Sequence, residues 1–257
     1  MPTDVSVTPV NAGGTPAEWT STPKADPSRV ILFLHGGGYV SGSIASHRHM
    51  IAQAGREAGA RTLALGYRLA PEHPFPAALD DAIGAYRYLL SEGFAPATMV
   101  MAGESAGGGL AIATLVCLRE AGAPQPGCVW LSSPWVDLAM SGETMETKAP
   151  VDPMIQKGYL AELAAAYLNG ADARDPRVSP LYADLRGLPP MLIQTGSAET
   201  LLDDAVRLAG AAGAAGVRTT LQVWPEMIHA FPLFWAQLAD GRRALAQVGA
   251  FVRATLG

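Results

Sequence analysis

Ser105 stands in Gly103-Glu104-Ser105-Ala106-Gly107-Gly108, directly after an apolar run, Thr98 to Ala102, that reads as a buried strand. A G-x-S-x-G turn bends a strand sharply into a helix and presents the serine hydroxyl to a substrate. Upstream, His35-Gly36-Gly37-Gly38 follows a second apolar run, Val30 to Leu34. A loop of that composition supplies backbone N–H groups to the oxyanion that forms when a serine attacks a carbonyl. G-x-S-x-G alone is common by chance. The added glycines Gly107, Gly108 and Gly109 and the upstream HGGG loop make the pair specific. The chemistry implied is attack by Ser105 on a carbonyl carbon, with the oxyanion held by the N–H groups of Gly37, Gly38 and Ala106. Glycine suits such a loop because backbone must approach the substrate without a Cβ in the way.

A serine hydroxyl is a weak nucleophile, so it needs a general base and a third group to orient that base. The chain has five histidines. His35 opens the oxyanion loop and reads as a brace for it. His47 and His49, either side of Arg48 at a helix start, read as a solvated face. His73 sits in Pro71-Glu72-His73-Pro74, a turn whose prolines suit a structural role. His229 follows a strand ending at Trp224 and precedes a helix, the loop position a base requires. The acid must then come from the loop after the strand Met191 to Gly196, where Glu199, Asp203 and Asp204 compete. Asp203 and Asp204 fall a turn into the next helix, where carboxylates serve dipole and capping roles. Glu199 is on the loop itself and is the preferred acid.

No metal or cofactor pattern accompanies these residues. His47 and His49 are two apart and point to different sides of a helix. There is no H-E-x-x-H and no C-x-x-C, and no G-K-[ST] follows Gly36 to Gly38. The expectation is a cofactor-free and metal-free site.

Alternating strand and helix signals must position these side chains. Strands are predicted over Arg29 to His35, Arg61 to Gly66, Thr98 to Gly103, Cys128 to Ser133, Met191 to Gly196 and Arg218 to Trp224. Helices are predicted over Ser46 to Ala58, Ala77 to Glu92, Ala106 to Ala121, Leu201 to Ala215 and Pro232 to Leu256. This alternation implies an α/β domain with a mostly parallel central sheet flanked by helices. Pro134 to Pro190 breaks the rhythm with one helix, Pro153 to Leu168, between Pro-, Gly- and Asp-rich segments. A long insertion between sheet strands commonly lies over the active-site edge as a cap or substrate wall. Tyr39, Met154, Ile155 and Phe231 are candidates for the walls of the pocket, with ordinary core packing as the alternative.

At 257 residues the chain fits one domain, 1–257, with the 134–190 insertion contributing the cap. Apolar residues make up 49% and charged residues 16%, which excludes a disordered chain. The net charge of −5 and the absence of a Lys/Arg cluster argue against a nucleic-acid partner. No apolar stretch is long enough for a membrane span. The start, Met1 to Asn11, is polar and lacks the basic and apolar segments of a signal peptide. Cys117 and Cys128 lie inside apolar elements and read as small core residues. A cytoplasmic location is the expectation.

These motifs together resemble the hormone-sensitive lipase-like family of α/β-hydrolases, the bacterial family IV esterases. The likeness rests on HGGG-Tyr39, on Tyr67-Arg68-Leu69-Ala70-Pro71-Glu72-His73-Pro74-Phe75-Pro76-Ala77-Ala78, on the GESAGG elbow and on Ser133-Pro134-Trp135-Val136-Asp137-Leu138. It runs from about Val7 to the C-terminus and includes Pro189-Pro190 and the loop holding His229. The resemblance implies an α/β-hydrolase fold and hydrolysis of small-molecule carboxylic esters, usually with short acyl chains and without a cofactor. Ser105, His229 and Glu199 would be the triad. Alternatives with the same triad are a lactonase, such as a monoterpene ε-lactone hydrolase, a deacetylase or an acyltransferase. A non-catalytic small-molecule receptor is a more distant alternative, since such a receptor would be expected to lose a triad member. Three departures stand out. Glu199 occupies a position that is commonly Asp, Gly66 one that is usually Asp, and His35 comes earlier in the chain than is usual. The last implies a reduced cap, with a pocket either more open or completed by a second copy in a homodimer.

Overall fold

The apolar runs of the sequence assemble one eight-stranded sheet in the computed structural model, which describes residues 2–257. In chain order the strands are β1 (Ser6–Ala12), β2 (Thr15–Ser21), β3 (Asp26–Leu34), β4 (Ala60–Leu65), β5 (Met99–Glu104), β6 (Cys128–Ser132), β7 (Met191–Gly196) and β8 (Thr219–Trp224). They lie side by side as β1-β2-β4-β3-β5-β6-β7-β8. Every neighbouring pair from β4 to β8 is parallel, while β1 pairs antiparallel with β2, and β2 with β4.

The helices are α1 (Ile44–Ala58), α2 (Ala77–Ser91), α3 (Ala106–Glu120), α4 (Thr144–Thr147), α5 (Lys157–Leu168), α6 (Leu202–Ala214) and α7 (Ala239–Leu256). The central strands are apolar throughout because helices cover both faces of the sheet. Ile31 and Phe33 of β3 pack with Met50 and Ile51 of α1 and with Val248 and Val252 of α7. Val30, Leu32 and Leu34 point the other way, into the core shared with α2, α3 and α6. Truncating one such fully buried side chain, as in Leu131→Ala, would cost about 2–5 kcal/mol.

The fold departs from the expected elements at both ends and in the insertion. The polar N-terminal segment is a β-hairpin, turning at Gly13 and Gly14 with φ 68° and 101°. Pro9 and Pro16 obscure it in the sequence; Pro9 is tolerated because β1 is an edge strand, and Pro16 because it precedes the pairing of β2 with β4, which begins at Ala17. The last helix does not begin at Pro232: a 3₁₀ turn occupies Phe231–Phe234 and α7 starts at Ala239. Residue 153 is not helical either, because the Asp152 carboxylate accepts the N–H groups of Met154 and Ile155, at 2.8 and 2.9 Å. That turn delays α5 to Lys157. At Gly66 the backbone N–H is braced by the Pro16 carbonyl at 2.8 Å, and the neighbouring Arg68 is paired to Asp81.

Candidate active site

The chemistry-bearing loops meet at the carboxyl ends of β3, β5, β7 and β8, where ligands bind in sheets of this kind. Ser105 stands between β5 and α3 with φ 54° and ψ −122°. A conformation that L-residues avoid costs on the order of 1–3 kcal/mol and must be held by its surroundings. Here the Ser105 N–H donates to the Ser132 carbonyl at 2.9 Å. The Ser105 carbonyl accepts from Gly108 and Trp135 N–H, each at 2.9 Å. Gly107 is required by close approach: a Cβ there would overlap the Leu34 carbonyl and push α3 off β3.

Ser105 Oγ lies 3.0 Å from His229 Nε2, and His229 Nδ1 lies 2.9 Å from Glu199 Oε2. Glu199 Oε1 accepts the Gly196 N–H at 3.0 Å and the Thr195 hydroxyl. Ser105, His229 and Glu199 are 6%, 3% and 0% exposed, so water does little to weaken their electrostatics. Burial alone would push the His229 imidazole down. The Glu199 hydrogen bond and charge, backed by the charges of Glu104 and Asp152, outweigh it and hold the imidazole above the ordinary histidine range. With Glu199 on the Nδ1 side, the neutral ring offers Nε2 as an acceptor to the serine hydroxyl.

The two rival carboxylates are engaged elsewhere. Asp203 accepts the Thr144 N–H at 3.1 Å, and Asp204 accepts Val136 and Asp137 N–H at 2.8 and 2.9 Å. Asp204 is not a helix-start charge facing solvent. It is fully buried, and burial pushes its carboxyl up to about 8.

Gly37 and Gly38 line the same pocket as Ser105, both at positive φ. The loop closes on itself, with the Gly37 carbonyl accepting from Val40 and Ser41 N–H at 3.2 and 2.9 Å. Ala106 opens α3, and a helix leaves the N–H of its first residue without an internal partner. The pocket holds about 260 Å³. The 154–163 segment forms its opposite wall, with Met154, Ile155, Tyr159 and Leu163. Leu163 sits over the loop so closely that a Cβ at Gly38 would overlap it.

Tyr39 and Phe231, candidates for the walls, take the alternative place in the core and do not line this pocket. The Tyr39 ring turns into the core and stacks on Tyr167 of α5 with centroids 3.8 Å apart. Phe231 is carried inward by the 3₁₀ turn and packs on Trp224. His47 is likewise not on a solvated face. It is buried, with Nε2 2.9 Å from Glu104 Oε2, because the first turn of α1 lies against the end of β5. His49 and His73 are exposed, and His35 is buried with Nδ1 2.8 Å from the Gly36 carbonyl. Burial pushes the His35 imidazole down to about 4, leaving it neutral.

Two residues near the site escaped the sequence reading. Glu104 and Asp152 both carry charge toward His229. Asp152 also joins the pocket wall to the residue after Glu199, accepting the Thr200 N–H at 2.8 Å. The only sequence signal for Glu104 was an acid inside an otherwise small-residue elbow. Among the described residues, no group of three or more His, Cys, Asp or Glu could hold a metal ion. No helix among them is long and apolar enough to cross a membrane.

Comparison with known proteins agrees with this architecture. Residues 31–233 match the family described as alpha/beta hydrolase fold. An acetyl-hydrolase of Streptomyces hygroscopicus is 46% identical over 248 residues, spanning 96% of this chain and 83% of the relative. An esterase of Acinetobacter venetianus is 32% identical over 248 residues, spanning 96% and 82%. Among solved structures, an esterase from the bacterial hormone-sensitive lipase family superposes with a TM-score of 0.98 at 47% identity. That match covers 100% of this chain and 87% of the other. The structure of EstE5 soaked with p-nitrophenyl butyrate matches with a TM-score of 0.96 at 46% identity, covering 98% and 85%. The chain therefore belongs to the alpha/beta hydrolase fold family, among the bacterial hormone-sensitive lipase-like esterases, and is a carboxylic ester hydrolase.

Proposed function

We propose that the chain hydrolyses short-chain carboxylic esters through Ser105 as nucleophile, His229 as general base and Glu199 as the acid that orients it. Ser105 Oγ attacks the ester carbonyl carbon while its proton passes to His229 Nε2. The N–H groups of Gly37, Gly38 and Ala106 receive the oxyanion, each such donor being worth about 2.7–4 kcal/mol in the transition state. His229 gives its proton to the departing alcohol, and the acyl group stays on Ser105. A water molecule, deprotonated by the same nitrogen, then releases the carboxylic acid and restores the hydroxyl. Glu199 keeps Nδ1 protonated and stabilises the imidazolium at each stage.

The observation that carries this reading is the buried chain of contacts from Ser105 Oγ through His229 to Glu199, at 3.0 and 2.9 Å. The 134–190 segment acts in this scheme as the cap of a single domain, with Met154 and Ile155 in the substrate wall. The short-chain preference follows from size. A cavity of about 260 Å³ falls just below the usual size of ligand sites, about 300 to 1,000 Å³. The name acetyl-hydrolase borne by the Streptomyces relative makes acetyl esters the first substrates to try.

The test is kcat/KM over p-nitrophenyl esters from acetate to dodecanoate, for the wild type and for Leu163→Ala. Each methylene that finds apolar wall is worth about 0.8 kcal/mol, close to fourfold. The wild type is expected to peak at a short acyl group and then fall. Leu163→Ala, with wall removed above Gly38, is expected to move the peak to a longer chain. A wild type that prefers dodecanoate, or a variant with an unmoved peak, would overturn the size reading.

A further inference from the structure

Glu104 has no part in the scheme above, yet it is the second carboxylate at the His229 imidazole. Its Oε1 lies 3.5 Å from His229 Nε2, the nitrogen that also faces Ser105 Oγ. Its Oε2 lies 2.9 Å from His47 Nε2, and both residues line the pocket while being 3% and 5% exposed. His47 is itself seated by Ser46, whose Oγ is 2.9 Å from Nδ1 at the first turn of α1. Gly36 leaves the space the carboxylate fills: a Cβ there would overlap Glu104 Oε2. A buried acid is costly unless it is paired, and His47 Nε2 at 2.9 Å is the hydrogen-bond partner of this one.

We propose that Glu104, held by His47, is a positioning residue that supports the protonated form of His229 from its Nε2 side and so sets the pH below which hydrolysis fails. The inference rests on the reading of His229 as general base. The ring must be neutral to take the Ser105 proton. Once it has, the Nε2–H lies between the serine oxygen and Glu104 Oε1. The Glu104 carboxylate acts by charge from 3.5 Å away, in a buried setting where charge counts for more than in water.

The charged and titratable neighbours are few. Glu199 and Asp152 face His229 from the loop after β7 and from the 134–190 segment. His47, His35 and Tyr67 face Glu104 from α1, from the end of β3 and from the segment after β4. Burial keeps His35 neutral, and it pushes the Tyr67 phenol well above its ordinary value. Glu104 is thus the anion on the reacting side of the ring, while Glu199 is the anion at Nδ1.

The experiment is the pH profile of kcat/KM on p-nitrophenyl acetate for the wild type, Glu104→Gln and Glu104→Thr, with His229→Ala alongside. The threonine variant removes the charge without placing an amide against His47, should the glutamine variant fail to fold. In both variants the midpoint of the acid limb is expected to fall by about one pH unit, the low end for a charge lost within contact range. The plateau kcat is expected to fall by about tenfold or less, in step with that shift, with KM little changed. A folded variant with lower kcat but an unmoved acid limb would mean that Glu104 only braces the oxyanion loop, and would overturn the proposal. His229→Ala retaining wild-type rate and limb would instead remove the base reading, and the Glu104 proposal with it.

Discussion

At the scale of single residues, the site is a competition between burial and charge. Taking an imidazole out of water disfavours its protonated form, and only the adjacent carboxylates reverse that preference. Glu199 contributes most because it bonds to the ring directly, while its other oxygen is fixed by Gly196 and Thr195. Glu199→Gln is therefore expected to lower kcat by about 10³ to 10⁴, since a neutral amide supports the wrong tautomer. Asp203→Asn is expected to stay within about threefold, because an amide oxygen still accepts the Thr144 N–H. Steady-state kinetics on one short ester compares the two; the reverse order would transfer the role to Asp203. Ser105, His229 and Glu199 were legible in the sequence because each sits in a turn whose composition has a mechanical reason. Glu104 and His47 were not. A histidine next to Arg48 and His49 at a helix start reads as solvated. Only the packing of α1 on the end of β5 buries it.

At the scale of elements, strand ends carry the reacting groups, and polar side chains tie the 134–190 segment to them. Asp204, in the first turn of α6, holds the backbone at Val136 and Asp137, with one oxygen unpartnered. Burial, with the nearby Asp137 charge adding to it, raises its carboxyl from 3.8 to about 8, so the folded chain keeps a proton that the unfolded chain releases. The sign follows from linkage. The stabilisation is complete below the unfolded value near 4 and declines by about 1.4 kcal/mol per pH unit as pH rises toward 8. Urea midpoints at pH 6 and pH 8 are expected to fall more for the wild type than for Asp204→Asn, which has no proton to lose there. Parallel slopes would show that Asp204 is already ionised at pH 6. None of this was visible in the sequence, where a carboxylate near a helix start is an ordinary dipole partner.

At the scale of the whole molecule, one mostly parallel sheet with helices on its two faces brings residues 35–38, 105, 199 and 229 to the same edge. The strands β3 to β7 were legible because burial leaves apolar runs between turn residues, and most helices because their apolar residues recur at helical spacing. The β1–β2 hairpin was harder to see, although Gly13-Gly14 is a turn signal, because β1 is largely exposed, β2 is rich in polar residues and both carry a proline. The break before α7 and the late start of α5 depend on local hydrogen bonds that no periodicity reports. All of this geometry converges on one hydroxyl. The most direct check is covalent: a p-nitrophenyl phosphonate, followed by intact mass and peptide mapping, on the wild type and on folded Ser105→Ala. The expected result is a single phosphonyl group on the peptide carrying Ser105, loss of ester hydrolysis on labelling, and neither label nor turnover in the variant. A label on another residue, or wild-type turnover in Ser105→Ala, would contradict the assignment of Ser105 as the nucleophile.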